Sequence, residues 1–235
     1  MTLNEVMAEL EKFGNDQTRK TWLSHGAKGA VFGVKIGDMK TIQKKIKRDH
    51  PLALELYKTG NADAMYFAGL ICDPKQMTKK QLQEWAKNAT WSMLSEYTVP
   101  WAAAESQYGQ ELAMAWIDNK GEHLQSAGWN TYSGLLALKQ DEELDIAEID
   151  NLLGRIQTTI HAQAERVKYT MNGFVIAVGI YVPALNNRAK SVGAAIGKVS
   201  VDMGGTACKV PDAVTYIKKV EGMGRVGQKR KTVFC

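Results

Sequence analysis

The chain of 235 residues is long enough to bury a substantial core, and 45% apolar with 23% charged residues is an ordinary globular composition. This balance argues against intrinsic disorder. The longest apolar run, residues 174–185, contains a proline and is too short to cross a membrane, and the first residues lack a signal-peptide pattern. Three scattered cysteines form neither a metal motif nor an even disulfide framework, so we expect a reduced, cytoplasmic protein.

Positive charge is concentrated in two parts of the chain, whose formal net charge is +5. From residue 186 onward, ten Lys and Arg residues are accompanied by only three Asp and Glu residues. A second group of six basic residues lies between positions 35 and 48. Segregated positive charge is typical of polyanion-binding proteins, although a solvated helix face with a basic tail explains the charge alone equally well.

Helical signals begin almost at the first residue. Thr2 and Glu5 form a capping-box pattern ahead of an apolar stripe that ends before Gly14. Asp38 is predicted to cap a helix that runs through Arg48 and carries lysines on the face opposite its apolar residues.

The helical pattern then continues through most of the chain. Pro51 suits the first turn of the next helix, and Asn61 and Thr78 are predicted to cap the two that follow. Further helices are predicted over residues 90–98, 100–117, 121–139, 146–162, 163–182, 184–197 and 211–220.

Short helices without intervening strands predict an all-α protein. Neighbouring helices pair into units of about 35–40 residues, which is the size of a HEAT-like helical repeat. We therefore predict one α-α superhelix, a solenoid of HEAT-like repeats, over residues 1–220. A basic C-terminal tail, residues 221–235, follows it.

One stretch departs from the helical pattern. Residues 198–210 place Gly204 and Gly205 between two arms of alternating residues, which predicts a two-residue β-hairpin. A lone ribbon is marginal in water unless one face packs on something. The hairpin either lies against the helices or projects toward a partner, and a simple link between two helices is equally open.

The common catalytic motifs are absent. Gly222, Gly224 and Gly227 match the GxGxxG dinucleotide pattern, but no strand precedes them and no helix is predicted after them, so we assign them to a flexible basic tail. The sequence contains no P-loop, metalloprotease or serine-hydrolase motif, and its four histidines are widely separated. The usual hydrolase, kinase and metalloprotease activities therefore lack their residues.

Five of the six tryptophans lie between residues 85 and 129. Most such side chains fill the space between helices, although one or two could stack on bases in a groove. Glu96 lies within this cluster, on a largely apolar helix. A carboxylate in such a place is costly to bury unless it is paired or functional.

Four segments, residues 32–42, 54–68, 91–100 and 166–179, resemble helix-face signatures of the AlkD-like DNA alkylation repair family. The resemblance implies a solenoid of HEAT-like pairs whose positively charged concave surface grips double-stranded DNA. Active members are similar to monofunctional N-glycosylases that release N3- and N7-alkylated purines with no metal and no cofactor. A carboxylate and tryptophan faces suit this chemistry, because both stabilise positive charge in the transition state.

The sequence also departs from the family pattern at its catalytic positions. Glu96 falls where active members carry the catalytic aspartate. Their groove tryptophan falls on Ser92, with Trp91 beside it, and their second groove tryptophan falls near Phe174. An arginine that contacts the DNA backbone falls on Ser126. A displaced carboxylate and a lost indole both slow the reaction, so the resemblance implies weak or no base excision.

DNA binding does not depend on these departures, because basic side chains neutralise phosphates independently of sequence. The residues that we expect to contact the backbone are Lys44, Lys45, Lys47, Arg48, Arg188, Lys190, Lys198 and Lys209. The predicted hairpin is similar to an insertion carried by a branch of the family associated with branched or distorted DNA.

The sequence therefore predicts a monomeric protein that binds distorted, damaged or branched DNA and has no membrane partner. The alternative is a working N-glycosylase that excises 3-methyladenine and 7-methylguanine through Glu96. A third hypothesis is a protein-binding scaffold, because helical solenoids often bind peptides on their concave face.

Overall fold

A computed structural model describes residues 1–203 and 209–234, and all regular structure within them is helical. None of the helices in these two ranges is both long and apolar enough to span a membrane. The α-helices of the described residues are α1 (Leu3–Phe13), α2 (Asp16–Ser24), α3 (Ile36–Ile46), α4 (His50–Lys58), α5 (Ala62–Ile71), α6 (Lys79–Asn88), α7 (Val99–Ala104), α8 (Gly109–Ile117), α9 (Glu122–Leu138), α10 (Ile146–Thr159), α11 (Glu165–Tyr181), α12 (Asn186–Ile196) and α13 (Ala213–Gly222). A π-helical turn, Leu94–Thr98, leads directly into α7.

The predicted helix caps are confirmed where the cap is a local interaction. Thr2 and Glu5 exchange both hydrogen bonds of a capping box, and Thr78 forms a second capping box at the start of α6. The side chain of Asn61 accepts a hydrogen bond from the backbone N–H of Ala64. These bonds join residues only three positions apart, which is why the sequence is sufficient to predict them.

Other helix boundaries differ from the prediction. The helix assigned to Asp38 begins at Ile36, and it ends at Ile46 because Lys47 adopts a positive φ of 64°. The helix predicted over residues 100–117 is broken between α7 and α8. The chain turns there so closely that a Cβ on Gly109 would lie 2.7 Å from the carbonyl oxygen of Ala103. The helix α2 was not predicted at all.

The helices pack as consecutive pairs in two layers. The helices α5, α7, α9, α11 and α13 contact one another in succession, and we call them the inner helices. The even-numbered helices from α4 to α12 cover the other side, with α8 against α9 and α12 against α11. Fully buried aromatic side chains such as Phe67, Trp129 and Phe174 fill the space between the layers. The predicted all-α array of stacked helix pairs is confirmed.

The inner helices α9 and α11 run in the same direction. At their N-terminal ends, the carboxylate of Glu122 accepts a hydrogen bond from the backbone N–H of Arg166. At their C-terminal ends, the ammonium group of Lys229 donates to the carbonyl oxygens of both Leu136 and Tyr181. The inner layer therefore has one edge made of helix N-termini and another made of helix C-termini.

Two of the segments that carry the family resemblance meet at Asp63. This carboxylate is fully buried at the start of α5 and accepts backbone hydrogen bonds from Phe32, Gly33 and Val34 at 2.7, 3.1 and 2.8 Å. Residues 30–35 have no regular structure, so the carboxylate supplies the hydrogen bonds that this buried loop would otherwise lack.

The β-hairpin prediction is not supported. The described parts of its two arms, residues 198–203 and 209–210, contain no strand, and its turn at Gly204 and Gly205 lies outside the described residues. The first arm packs on α11: Val199 is buried, and the backbone N–H of Asp202 donates to Glu165. Within the described residues, the arm is thus bonded to a side chain at the start of α11.

The segment after α13 packs against the helices, in contrast to the flexible tail that the sequence predicts. We call residues 224–234 the strap. Its glycines serve turns: Gly224 and Gly227 have φ values of 65° and 80°. The backbone N–H of Gly227 donates to Ile180, and that of Arg230 donates to Ala137. The strap therefore crosses the C-terminal ends of α11 and α9.

Candidate nucleic-acid interface

The partly exposed side chains of the π-helical turn, α9 and α11 form one surface, which we call the inner surface, whereas all of α7 is buried. Tyr97, Asn130, Ser133, Ala177 and Tyr181 line a shallow depression of about 220 Å³ on it. These five side chains are uncharged, and the charged residues that also line the depression are Glu96, which is buried, and Arg230. Strong attraction for a polyanion at this surface must therefore come from charged residues at its edges.

Glu96 lies in the π-helical turn that precedes Pro100. Proline has no N–H, so Pro100 cannot donate the hydrogen bond that the Glu96 carbonyl oxygen would accept in a regular helix. The side-chain amide of Asn130, on α9, donates to this oxygen at 2.8 Å. The irregular turn is thus tied to the neighbouring inner helix, and turns of this kind are frequent at functional sites.

The Glu96 carboxylate is fully buried and paired with Arg166 of α11. Nε of Arg166 donates to Oε1 at 2.6 Å, and Nη2 donates to Oε2 at 2.5 Å. Burial raises the pKa of Glu96, and the hydrogen bonds and charge of Arg166 oppose this rise. Burial also acts to lower the pKa of Arg166, but the hydrogen bonds and charge of Glu96 outweigh it and raise that pKa. One guanidinium therefore engages both oxygens of the carboxylate.

The same guanidinium connects Glu96 to the segment that follows α12. Its central carbon lies 4.6 Å from the ring centroid of Tyr169, and Nη1 lies 3.6 Å from the sulfur of Met203. Next to it, Glu165 accepts a 2.8 Å hydrogen bond from the backbone of Asp202. Residues 198–203 are therefore held against the N-terminal end of α11, beside the Glu96 pair.

The aromatic and serine positions singled out from the sequence lie mostly in the core. Trp91 is 2% exposed, and its indole nitrogen has no hydrogen-bond partner among the described residues. Ser92 is half-buried at the start of the helical segment that contains Glu96. Ser126 is fully buried, and its hydroxyl likewise lacks a partner in the described part of the chain. Phe174 is fully buried edge-on against two core aromatic rings. The structure does not bring these four side chains together with the Glu96 carboxylate on the inner surface.

The residue that faces the inner surface at this level is Gly173. Among the described residues, no heavy atom would lie within 4 Å of a Cβ on Gly173, and Tyr169 and Ala177 lie on the same face, four residues to either side. Sequence reasoning also missed Arg166. Two signals could have identified it. Arg166 lies seven residues before Gly173 and therefore on the same helix face, and a buried Glu96 needs a cationic partner.

The first basic cluster lies exposed at the C-terminal end of α3: Lys44, Lys45, Lys47 and Arg48. Lys45 forms a 3.4 Å ion pair with Glu9 of α1. The guanidinium of Arg48 lies 6.0 Å from the ring centroid of Phe234, near the end of the strap. The structure therefore brings Arg48 next to the strap, which the sequence could not establish. Arg48 also forms a 3.9 Å ion pair with Asp73.

The other predicted phosphate contacts fall into two groups. Arg188 and Lys190, both on α12, form ion pairs of 2.7 and 2.9 Å with carboxylates of neighbouring helices. Lys198 and Lys209 are exposed at the segment beside α11 and have no ion pair within the described ranges. Only the second pair presents charge that is not already balanced by a neighbour.

We also searched the described residues for a metal site and for a cavity away from the inner surface. No group of three or more His, Cys, Asp or Glu side chains could hold a metal ion in the described part of the chain. A cavity of about 820 Å³ lies between α4 and α6 and is lined in part by Lys58, Trp85 and Trp91. It includes none of the residues that line the depression on the inner surface.

Comparisons with known proteins agree with this architecture. The proteins Lmo0209 of Listeria monocytogenes and Lin0241 of Listeria innocua, both described as uncharacterized, are each 34% identical over 227 residues, 93% of this chain and 97% of theirs. A solved structure, described as a new family of proteins related to the HEAT-like repeat DNA glycosylases with affinity for branched DNA structures, is 40% identical. It covers 100% of both chains with a TM-score of 0.90, so the fold is a HEAT-like repeat array. A profile of the DNA alkylation repair enzyme family matches residues 6–196, and the chain belongs to that family.

Proposed function

We propose that this protein binds branched or otherwise distorted DNA on its inner surface and excises alkylated bases weakly or not at all. One observation supports the proposed DNA binding. Over the full length of both chains, the protein is similar to a structure whose family has affinity for branched DNA. At 40% identity and a TM-score of 0.90, the helices that form the inner surface are shared.

Charge at the edges of the inner surface supports the proposal. Lys47 and Arg48 are exposed near one end of the strap, although Arg48 lies 3.9 Å from the Asp73 carboxylate. Lys198 and Lys209 are exposed beside the N-terminal end of α11. Cations on both edges of a surface with a largely uncharged floor suit two phosphate backbones, or the separating arms of a branch.

The Glu96–Arg166 pair supports the absence of efficient excision. A carboxylate that stabilises an oxocarbenium-like state must present its charge to the sugar. Here both carboxylate oxygens accept hydrogen bonds from a guanidinium, and the side chain is fully buried. The charge of Glu96 is therefore balanced before any substrate arrives.

A binding experiment tests the first half of the proposal. Fluorescence anisotropy compares a labelled four-way junction with a duplex of the same length, between about 50 and 200 mM salt. We expect tighter binding to the junction, and affinity that falls steeply as salt rises because counterions are released. Absence of binding, or affinity that does not change with salt, contradicts the proposal.

A matched pair of variants tests the location of binding. Gly173→Glu adds a carboxylate to the inner surface, where a Cβ would contact no other part of the described chain. Gln83→Glu adds the same charge to an exposed position of the outer helix α6. We expect the first variant to weaken junction binding about tenfold or more through repulsion of phosphates, and the second to have little effect. Equal effects place the DNA elsewhere.

The second candidate function is N-glycosylase activity, which the presence of a carboxylate at Glu96 keeps open. Release of 3-methyladenine and 7-methylguanine from methylated DNA is measured for the wild type and for Glu96→Gln. We expect no release above the uncatalysed background in either. Release that the substitution abolishes establishes the glycosylase and removes the second half of the proposal.

Three narrower expectations from the sequence stay predictions. They are binding to continuous double-stranded DNA as well as branched DNA, a monomeric state, and a location in the cytoplasm. The anisotropy comparison addresses the first, and light scattering of the free protein addresses the second.

A further inference from the structure

The C-terminal ends of parallel helices form an unfavourable edge for a polyanion. The last carbonyl groups of each helix have no partner within the helix, and the helix dipole places partial negative charge at that end. In this fold α9 and α11 expose such ends along the same edge of the inner layer. Without further donors, this edge would repel a phosphate backbone that approached the inner surface.

The strap supplies donors along this edge. The backbone N–H of Gly227 donates to Ile180 and that of Arg230 donates to Ala137, both at 2.7 Å. Between them, the ammonium group of Lys229 donates to the carbonyl oxygens of Leu136 and Tyr181 at 3.1 and 2.7 Å. Lys229 also pairs with Asp141 at 2.9 Å, and its side chain is only 9% exposed. The helix ends are thus neutralised by buried groups of the strap.

The far end of the strap is held by α7. Glu105, which follows α7, accepts hydrogen bonds from the backbone N–H of Val233 at 2.8 Å and from the hydroxyl of Thr232. Val233 is buried, and the ring of Phe234 lies 5.9 Å from that of Trp101. Because both ends of the strap are held by these contacts, its middle is fixed relative to the inner helices.

Two cations of the strap point away from these anchors. Arg230 and Lys231 are exposed, and neither side chain has an ion pair or hydrogen bond within the described ranges. Arg230 lines the depression on the inner surface together with Tyr97 and Tyr181. Lys47 and Arg48 continue the same edge, because Arg48 lies against Phe234.

We propose that the strap is a phosphate-binding rim: it neutralises the carbonyl ends of the inner helices and presents Arg230 and Lys231 to the DNA backbone at the edge of the inner surface. The inference rests on the proposed DNA binding and adds to it a specific edge, a ligand chemistry and two residues. It also accounts for the buried position of Lys229, which fixes the strap and is not itself available to DNA.

The test compares two double variants that lose the same charge. Arg230→Ala/Lys231→Ala removes the rim cations, and Lys12→Ala/Lys87→Ala removes two exposed lysines from α1 and α6. Junction affinity is measured for both by anisotropy over a series of salt concentrations, and circular dichroism checks that both fold with an unchanged melting temperature.

Loss of two phosphate contacts should make the negative slope of log K against log salt shallower by about 2. It should also weaken binding on the order of tenfold at physiological salt. The control should change the slope by less than about 0.5, since it acts only through net charge. Rim and control variants with the same slope and affinity overturn the inference while leaving the proposed function in place. A wild-type protein with no junction affinity instead removes the proposed function itself.

Discussion

Arg166 on α11 holds Glu96 on the π-helical turn by two parallel hydrogen bonds of 2.6 and 2.5 Å. The two residues are 70 positions apart in the chain, so the pair forms only when α7, α9 and α11 stack side by side. Its carboxylate is fully buried, whereas a quarter of the Arg166 side chain is exposed. The pair therefore contributes to stability and also determines what Glu96 can do chemically.

Removal of the Glu96 carboxylate is the first prediction. Glu96→Ala leaves a largely buried guanidinium without its partner, so we expect the free energy of unfolding to fall by about 2–3 kcal/mol, as measured by urea denaturation. Asp150→Ala removes the partner of Arg188, a pair in which both side chains are more than a third exposed, and should change it by less than about 1 kcal/mol.

A double variant tests whether the loss of stability comes from leaving the Arg166 charge unpaired. Glu96→Leu/Arg166→Met replaces both charges by apolar groups, and such replacements are often close to neutral. We expect it to be more stable than Glu96→Ala. If the double variant is less stable than both the wild type and Glu96→Ala, the loss of stability does not come from an unpaired charge. The explanation given for this pair is then incorrect.

The second prediction concerns Lys229. Lys229→Met keeps an unbranched side chain that is one atom shorter, but it removes the ammonium group that donates to the carbonyl oxygens of Leu136 and Tyr181, so the strap should detach more readily. We expect a loss of about 2 kcal/mol in the free energy of unfolding and faster tryptic cleavage after Arg225, Arg230 and Lys231. Mass spectrometry of the fragments locates the cuts.

The matched control for Lys229 is Lys218→Met, which removes an exposed lysine from α13. It should leave both the stability and the cleavage pattern of the strap unchanged. Equal cleavage rates in wild type and Lys229→Met mean that Lys229 does not hold the strap in place.

The third prediction concerns Asp63. Asp63→Ala removes the acceptor of three backbone N–H groups in the loop over residues 30–35, two of them in buried bonds. Buried donors left without partners are expected to lower the free energy of unfolding by about 3 kcal/mol. Asp16→Ala, at an exposed position in the first turn of α2, should lower it by about 0.5 kcal/mol. Similar values for both variants contradict a special role for Asp63.

The fourth prediction is chemical. Burial raises the pKa of the Cys72 thiol to about 12, so the reactive thiolate is scarce at neutral pH, and the side chain is only 1% exposed. We expect Cys72 to react with a maleimide in the native protein only at the rate of unfolding, and rapidly in urea. Peptide mapping distinguishes it from the other two cysteines, and fast labelling of Cys72 in the native state contradicts its burial.

The caps and the core show how far local sequence information extends. Thr2, Asn61 and Thr78 cap helices as predicted, because each cap joins residues three positions apart. The tryptophan cluster is core, as its composition favoured: Trp85 and Trp129 are at most 4% exposed. The break between α7 and α8 could not be predicted, because it depends on how closely two helices approach at Gly109.

The candidate site, in contrast to the caps and the core, depends on contacts between residues that are far apart in the chain. The sequence singled out Glu96 as a carboxylate that is either paired or functional and left open which of the two it is. It also pointed to Phe174 where the inner surface has Gly173. Adjacent helical residues lie about 100° apart, so an error of one position exchanges surface for core. The sequence predicts a flexible tail here because the hydrogen bonds that hold the strap to α9, α11 and Glu105 join residues 47 to 128 positions apart.

By itself, the sequence determined the helical class, the paired repeats and the separation of charge along the chain, because these depend on periodicity, composition and short-range bonds. The resemblance to a DNA repair family rests on the particular residues of segments 32–42, 54–68, 91–100 and 166–179. Only the tertiary structure decided that Arg166 neutralises Glu96 and that residues 224–234 cover the C-terminal ends of the inner helices. Both follow from stacking parallel helices, which brings distant residues to one edge and leaves carbonyl groups there that must find donors.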